Sequence, residues 1–386
     1  MGLLKLGDTT PVPNRPRVLM LHTGGTLGMT GGRPSALRPS PFARTLRERV
    51  PELAELADVR LEVFSNLDSS EIQPEAWLQL ARVLARRLPE FDGAVVTHGT
   101  DTLAYTASAL SFLLPGLDRP VVLTGSQRPL KEVRTDARLN LIDAVTSALR
   151  GPPEVTVCFD SKLYRGNRTL KAAVADYDAF ESPNFPLLGT LGVRANFAKG
   201  LPPRPLKLVD RLDPRVFLLK VYPGLDPALP MALLGRMRGL VVEAYGAGNV
   251  PVDEAGGRSL RPVFHEARRR GVAVVMVSQA PRNAVDLSLY EGGSAALSEG
   301  AIGGGDMTSV AAVTKLMHVL GVHRSLAAIR RAMERAVAGE RSSETPSSAS
   351  DAGEDAGIDS RAHPGGPNRT PRRARRPLPD RTPRSS

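Results

Sequence analysis

Short apolar runs of four to six residues, each closed by a turn rich in hydroxyls or glycine, limit most strongly what this chain can fold into. RVLML (17–21) leads into HTGGTLG, VRLEVF (59–64) into SNLDSSE, and GAVV (93–96) into THGTDT. PVVL (120–123) leads into TGSQRP and EVTVCF (154–159) into DSKLYRGNRT. Such runs read as strands buried on both faces, as in parallel sheets. Between them, 74–88 sets Trp77, Leu80, Ala81 and Leu84 on one helical stripe, and 134–149 does so with Ala137, Leu141, Ala144, Val145 and Ala148. Alternating strand and helix predicts an α/β doubly wound sheet, flavodoxin-like or Rossmann-like, with ligands beyond the carboxyl ends of the strands.

A second alternation begins after the proline-rich stretch 199–214, which has no clear period and reads as an interdomain passage. VFLLKVY (216–222), GLVVEAYG (239–246) and GVAVVMVS (271–278) are its strands, and 309–320 with a helical stretch to about 337 closes it. The expected organisation is a leader at 1–16, a larger N-terminal α/β domain at 17–205, a linker at 206–215, a smaller C-terminal α/β domain at 216–338 and a tail at 339–386.

Composition bounds the function class. With 41 % hydrophobic and 24 % charged residues in 386, the chain is globular rather than wholly disordered. The single Cys158 excludes an internal disulfide and a zinc ribbon, and reads as a buried thiol in a reducing compartment. No apolar run approaches the roughly 18 residues a membrane span needs, and Pro11, Pro13 and Pro16 interrupt the start, so a cytoplasmic protein is expected. The formal charge is +11, unevenly spread: 340–360 hold six acids and one arginine, whereas 361–386 hold eight arginines and Asp380. With almost nothing apolar to bury, 339–386 reads as a disordered tail. Its arginines read as solvated charge rather than a nucleic-acid contact, since no aromatic interleaves them.

Three strand-end loops carry hydroxyls and acids: Thr23–Thr26, Asp68–Ser70 and Thr97–Thr102. Glycines there let backbone N–H groups approach a ligand. Taken alone, TGGT also reads as a phosphate nest or a tight turn, and Asp101 also reads as the cap of a helix starting near Leu103. A threonine hydroxyl is a poor nucleophile unless a neighbour takes its proton. Lys171, in RGNRTLK, is a candidate for that task beside Thr100 and Asp101; taken alone, close after Arg165 and Arg168, it reads more often as solvated surface charge. The histidines show no HExxH spacing or i,i+4 pairing, so neither a metal nor another cofactor is expected. Asp306 reads as a helix cap.

Together the motifs resemble the bacterial-type L-asparaginases, in their type I cytoplasmic branch. TGGTLGM (23–29), DSSE (68–71), THGTDT (97–102), VLTGSQRPL (122–130), LYRGNRTLKA (163–172), DAFESPN (178–184), YGAGNVP (245–251) and GGGDMTSVAAVTKL (303–316) carry the likeness, in order, over about 17–337. The resemblance implies hydrolysis of the asparagine side-chain amide to aspartate and ammonia. It implies Thr26 as nucleophile, forming a β-aspartyl acyl-enzyme, and Thr100, Asp101 and Lys171 as the group that activates a nucleophile and anchors substrate. It further implies that Asp68, Ser69 and Ser70 hold the α-carboxylate, that Asp101 pairs with the α-ammonium group, and that Ser126 lies near the leaving amide. Asn249 then supports the site, often from a neighbouring subunit, and a homodimer or homotetramer is expected.

One place departs from the family. Many members carry a tyrosine in the mobile loop after the nucleophile, and 30–45 here has none. Tyr290, in DLSLYEGG, lies where the resemblance places a substitute; it reads equally as packing. Two alternatives stand beside the asparaginase reading: a glutaminase-like amidotransferase subunit, and a non-catalytic amino-acid-binding or regulatory module with a basic tail.

Overall fold

The computed structural model describes residues 4–5, 15–28 and 39–342, with backbone alone at 4–5 and 39–41. Nearly all of the expected leader, loop positions 29–38, and the tail from 343 onward lie outside the described residues. Among the described residues two larger sheets form, and both belong to one unit spanning 1–343.

The first sheet has the strand order β1-β3-β2-β4-β5-β6-β7-β10-β11. Its centre is parallel: β2 (Arg17–Gly24), β3 (Asp58–Leu67), β4 (Gly93–Thr97), β5 (Val121–Thr124) and β6 (Val155–Phe159). Edges are antiparallel: β1 (Leu4–Lys5) pairs with β3, and β7 (Lys162–Arg165), β10 (Gly189–Leu191) and β11 (Ala195–Phe197) extend the other side. Every residue of β4, β5 and β6 is buried, as continuous apolar runs demand. Lys171 sits apart, in a small hairpin of β8 (Leu170–Lys171) with β9 (Phe180–Glu181).

Both faces of the sheet are covered. Helix α3 (Pro74–Arg87) and α4 (Leu103–Leu113) cover one face; α1 (Pro39–Arg49), α2 (Leu53–Leu56) and α5 (Ala137–Arg150) cover the other. The predicted stripes of α3 and α5 are the buried ones. Helix α5 starts later than the pattern suggested, because the Thr135 hydroxyl accepts the Ala137 N–H. The central order, with β2 between β3 and β4, is the flavodoxin-like one, and it reverses direction at β2 and β4. The β5–α5–β6 connection moves the same way along the sheet as β4–α4–β5 but on the opposite face, so its hand is opposite, the rare left-handed form. Helix α4 explains this: it is buried between the sheet and a helix of the second sheet, leaving α5 the other side.

The second sheet is parallel and sequential: β12 (Val216–Lys220), β13 (Gly239–Ala244), β14 (Ala273–Ser278) and β15 (Ile302–Gly303). Helices α6 (Ala228–Leu233), α7 (Arg261–Arg270) and α8 (Glu291–Ser298) lie between its strands, and α9 (Ser309–Val322) and α10 (Leu326–Glu334) close the other face. The segment expected to link the sheets has no regular structure. It caps α4 instead: Lys207 and Val209 donate to the Pro115 and Leu113 carbonyls at 3.1 and 2.9 Å, satisfying groups a helix end leaves unpaired. Helices α4 and α9 then join the sheets, with Ser108 and Thr314 hydroxyls 2.7 Å apart.

Three sequence expectations need correction. Asp306 does not cap α9; the Thr308 hydroxyl does, accepting the Ala311 N–H, and Asp306 is occupied by an arginine. Asp101 does not cap α4, which begins at a Thr102 N-cap with no side-chain cap bond, because its carboxylate is taken by Lys171. Residues 339–342, assigned to the tail, are packed into the fold, and Glu340 there is fully buried.

Candidate active site

The reversal point of the first sheet collects three loops. After β2 the chain turns through Gly24 and Gly25 into a short 3₁₀ turn, Thr26–Gly28. Gly25 has φ +84°, and a Cβ there would lie 2.5 Å from the Gly99 Cα, so two backbones touch where no side chain fits. Beyond that contact on one side stands Thr26, and on the other Thr100. A Cβ on Gly99 would meet the Ser69 hydroxyl at 2.7 Å, and the Thr102 hydroxyl donates to the Ser69 carbonyl at 2.7 Å. All three hydroxyl loops are thereby docked on one another.

Lys171 reaches this junction from the hairpin. Its Nζ donates to Thr100 Oγ1 at 2.9 Å and to Asp101 Oδ1 at 2.6 Å. The lysine side chain is 16 % exposed and the aspartate 68 %, so one carboxylate oxygen remains open to solvent and to a ligand cation. Thr100 in turn donates to Gln127 Oε1 at 3.2 Å. The half-buried Thr26 hydroxyl makes no hydrogen bond to another described residue.

Around the cluster the geometry favours an anion and an amide. Asp68 accepts from the Ser70 N–H at 2.9 Å and the Ser70 hydroxyl at 2.8 Å, which holds its carboxyl below the usual range. The turn it caps sets Ser69 against Gly99 at the junction, while the exposed Ser70 keeps its hydroxyl on Asp68. Ser126, just past β5, buries its hydroxyl with no partner among the described residues. A buried orphan hydroxyl costs about 1–3 kcal/mol, which a bound polar group relieves. Asn249 and Tyr290 belong to the second sheet. Asn249 Oδ1 accepts the Val250 N–H and lies against Gly292, two residues past Tyr290, which is itself 54 % exposed. Asn249 thus lies against the first turn of α8, which Tyr290 precedes. Neither bonds to Thr100, Asp101 or Lys171 within the described chain.

Set against protein families, residues 17–202 match "Asparaginase, N-terminal" and residues 215–333 match "Glutaminase/Asparaginase C-terminal domain". The chain belongs to the asparaginase family. It is 37 % identical to L-asparaginase 1 of Escherichia coli K12, over 84 % of this chain and 97 % of that one. It is 40 % identical to L-asparaginase of Thermococcus kodakarensis, over 84 % and 98 %. The solved structure of the thermostable L-asparaginase from that organism superposes with a TM-score of 0.77, covering 85 % of this chain and 99 % of its own, at 38 % identity. A component of the glutamyl-tRNA(Gln) amidotransferase of Pyrococcus abyssi is 34 % identical over 85 % and 77 %. By family this is an amidohydrolase with an α/β fold.

Two features of the site escaped the sequence reading. Gln127 ties Thr100 to the hairpin loop, donating to the Val174 and Asp176 carbonyls at 3.2 and 3.0 Å, while Asp136 accepts its N–H. It lies within the TGSQRP turn, one residue past Ser126, and its long amide was the available signal. The second is a buried chain under Thr100. Trp77 donates to Thr106 Oγ1 at 3.0 Å, Thr106 faces His98 Nε2 at 2.9 Å, and His98 Nδ1 faces the Gly99 carbonyl at 2.7 Å. A carbonyl only accepts, so Nδ1 carries the proton and the Thr106 hydroxyl donates to Nε2. Burial lowers the His98 pKa to about 4, which keeps the ring neutral. His22 is likewise lowered to about 4 by burial, 2.7 Å from Thr97 Oγ1. Among the described residues no group of three His, Cys, Asp or Glu is placed to hold a metal, and no helix is long and apolar enough to cross a membrane.

Proposed function

We propose that this protein hydrolyses L-asparagine to L-aspartate and ammonia through a β-aspartyl ester on Thr26. The observation that carries the mechanism is the pair of bonds from Lys171 to Thr100 and Asp101, together with a Thr26 hydroxyl that bonds to no other described residue. Thr100 already spends its hydroxyl on Gln127 and Lys171, whereas Thr26 has its own to spend; this favours Thr26 as first nucleophile. In the proposed sequence Thr26 Oγ attacks the amide carbon, its proton passes to the amide nitrogen, the tetrahedral oxygen is held by backbone N–H groups around Thr100, and the nitrogen departs as ammonia carrying that proton. Water then attacks the ester. One water proton passes to Thr26 Oγ as the ester C–O bond breaks, relayed through Thr100 and Lys171, the lysine accepting it only as the neutral amine.

The open oxygen of Asp101 suits the substrate ammonium, and the Asp68–Ser70 turn suits the α-carboxylate. Ser126 provides a donor or acceptor for the amide. The exposure of Tyr290 and its closeness to Asn249 support a homodimer or homotetramer in which both face a second copy's site. The tyrosine-poor loop falls mostly at residues that are not described. The reaction needs no cofactor, and cytoplasmic asparagine is the substrate we expect it to meet.

The test is ammonia and aspartate release from L-asparagine and L-glutamine by the full chain. Thr26→Ala and Lys171→Ala should each lose roughly 10²–10⁴-fold or more, and Lys171→Met should accumulate an ester at Thr26 visible by peptide mass. Full turnover by Thr26→Ala would overturn the nucleophile assignment. A folded wild type that binds aspartate yet turns nothing over would favour the non-catalytic module. Preference for glutamine would favour the amidotransferase-like reading, which the Pyrococcus relative makes worth testing.

A further inference from the structure

Arg168 is 2 % exposed, among the most deeply buried large side chains of the molecule, and it lies three residues before Lys171. Burying a guanidinium costs several kcal/mol unless it is fully paired. Its partners all come from the far side of the molecule: Nη1 donates to Asp306 Oδ2 at 2.7 Å, Nε to the Gly339 carbonyl at 2.8 Å, and Nη2 reaches Ser342 Oγ at 3.4 Å. Asn167 Nδ2 donates to the Ala338 carbonyl at 2.9 Å. Ser342 closes the ring, its N–H and hydroxyl donating to Asp306 at 2.9 and 2.6 Å.

That receiving segment is itself pinned. Glu340 and Lys315, both fully buried, pair at 2.6 Å. Glu340 also accepts the Val337 and Ala338 N–H groups, while Lys315 donates to the Met333 and Arg335 carbonyls. Gly339 has φ +74°, and a Cβ there would lie 2.5 Å from the Arg165 guanidinium, so the arginines pack directly on backbone. On the other side, the Thr169 hydroxyl donates to the Arg165 carbonyl at 2.7 Å, making 165–169 one rigid turn that delivers the chain into β8.

We propose that Asp306 and Ser342 are positioning residues for Lys171: by clamping Arg168 they fix the turn that aims the lysine at Thr100 and Asp101. The second sheet thus takes part in the reaction through a chain of contacts, without touching substrate. This rests on Lys171 having the role proposed above.

The experiment is steady-state kinetics and thermal melting on the full 386-residue chain, with Asp306→Asn, Ser342→Ala, Ser342→Thr and Lys171→Ala. Lys171→Ala tests the underlying reading: if it keeps full activity, that reading fails, whatever the clamp does. Given its collapse, Asp306→Asn should lower kcat about tenfold with KM within about twofold. Ser342→Ala should lower kcat about threefold with an unchanged melting temperature, and Ser342→Thr, which keeps the hydroxyl, should restore it. A wild-type kcat in Ser342→Ala, or a loss confined to KM, would overturn the clamp. If Asp306→Asn does not fold, the serine pair decides alone.

Discussion

After β2, β3 and β4 of the first sheet, the turns hold Thr26, Asp68–Ser70 and Thr100–Asp101 in mutual contact; after β13, β14 and β15 of the second, glycines, Ser278 and Gln279 fill the same kind of position. Each sheet is parallel at its centre and covered by helices on both faces. They differ in strand order. The first reverses direction at β2 and β4, so neighbouring connections leave on opposite faces and open a crevice. In the second, β12 to β15 follow in sequence, so α6, α7 and α8 share one face and no such crevice arises. Charge follows that division. The first sheet leaves Asp101 open at its crevice, while the second buries Lys315 with Glu340 as a fastener. Parallel strands alone do not make a site; the reversal of winding does.

The largest test of that division is on the fastener. Lys315→Met should cost about 3–5 kcal/mol in urea unfolding, because Glu340 is left charged and buried, whereas Lys315→Met with Glu340→Met should recover much of it. A loss in the double variant equal to that of the single one would break the assignment. Acid should act next. His22, His98 and His318 are each lowered to about 4 by burial, so the native state stays unprotonated while the unfolded state binds protons below about 6.5. Their stability is present above 6.5 and lost as pH falls towards 4, up to about 3 kcal/mol each, read as melting temperature against pH. Asp143 works in the opposite sense: burial raises it to about 6, so its contribution is lost as pH rises through 6, and Asp143→Asn should melt higher than wild type at pH 8.

Glycine substitutions sharpen the contrast at smaller scale. Gly25→Ala forces a Cβ onto Gly99 and should lower kcat/KM about 100-fold by parting the two loops. Gly257→Ala, at φ +63° with open space around it, should cost about 1 kcal/mol of stability and leave kinetics unchanged. Equal kinetic damage from both would show that backbone strain, not loop contact, governs the site.

Much of the fold could be read in the chain because local pattern encodes local structure. The apolar runs at 17–21, 93–96, 120–123 and 154–159 became buried parallel strands, the run at 59–64 a partly buried one, and the Trp77–Leu84 stripe became the buried face of α3. Hydroxyl-rich turns marked Thr26, Thr100 and Asp101, since such residues sit at strand ends for either chemistry or capping. What the pattern could not resolve was which of those two uses applied. Asp101 and Asp306 both looked like helix caps, and both are claimed instead by a cation from about 70 and 138 residues away. Capping is a local preference of about 1 kcal/mol, and a paired buried or half-buried cation outweighs it.

By itself, then, the sequence determined strand and helix identity, the two-part alternation and the residue types available for amide chemistry, since these follow from periodicity and side-chain character within a dozen residues. Strand order, the left-handed β5–α5–β6 connection, the meeting of Gly25 with Gly99 and the clamp from Asp306 to Arg168 were decided only in three dimensions. Each depends on groups distant along the chain competing for the same buried space, and that competition is settled by packing and pairing energies that no local window contains.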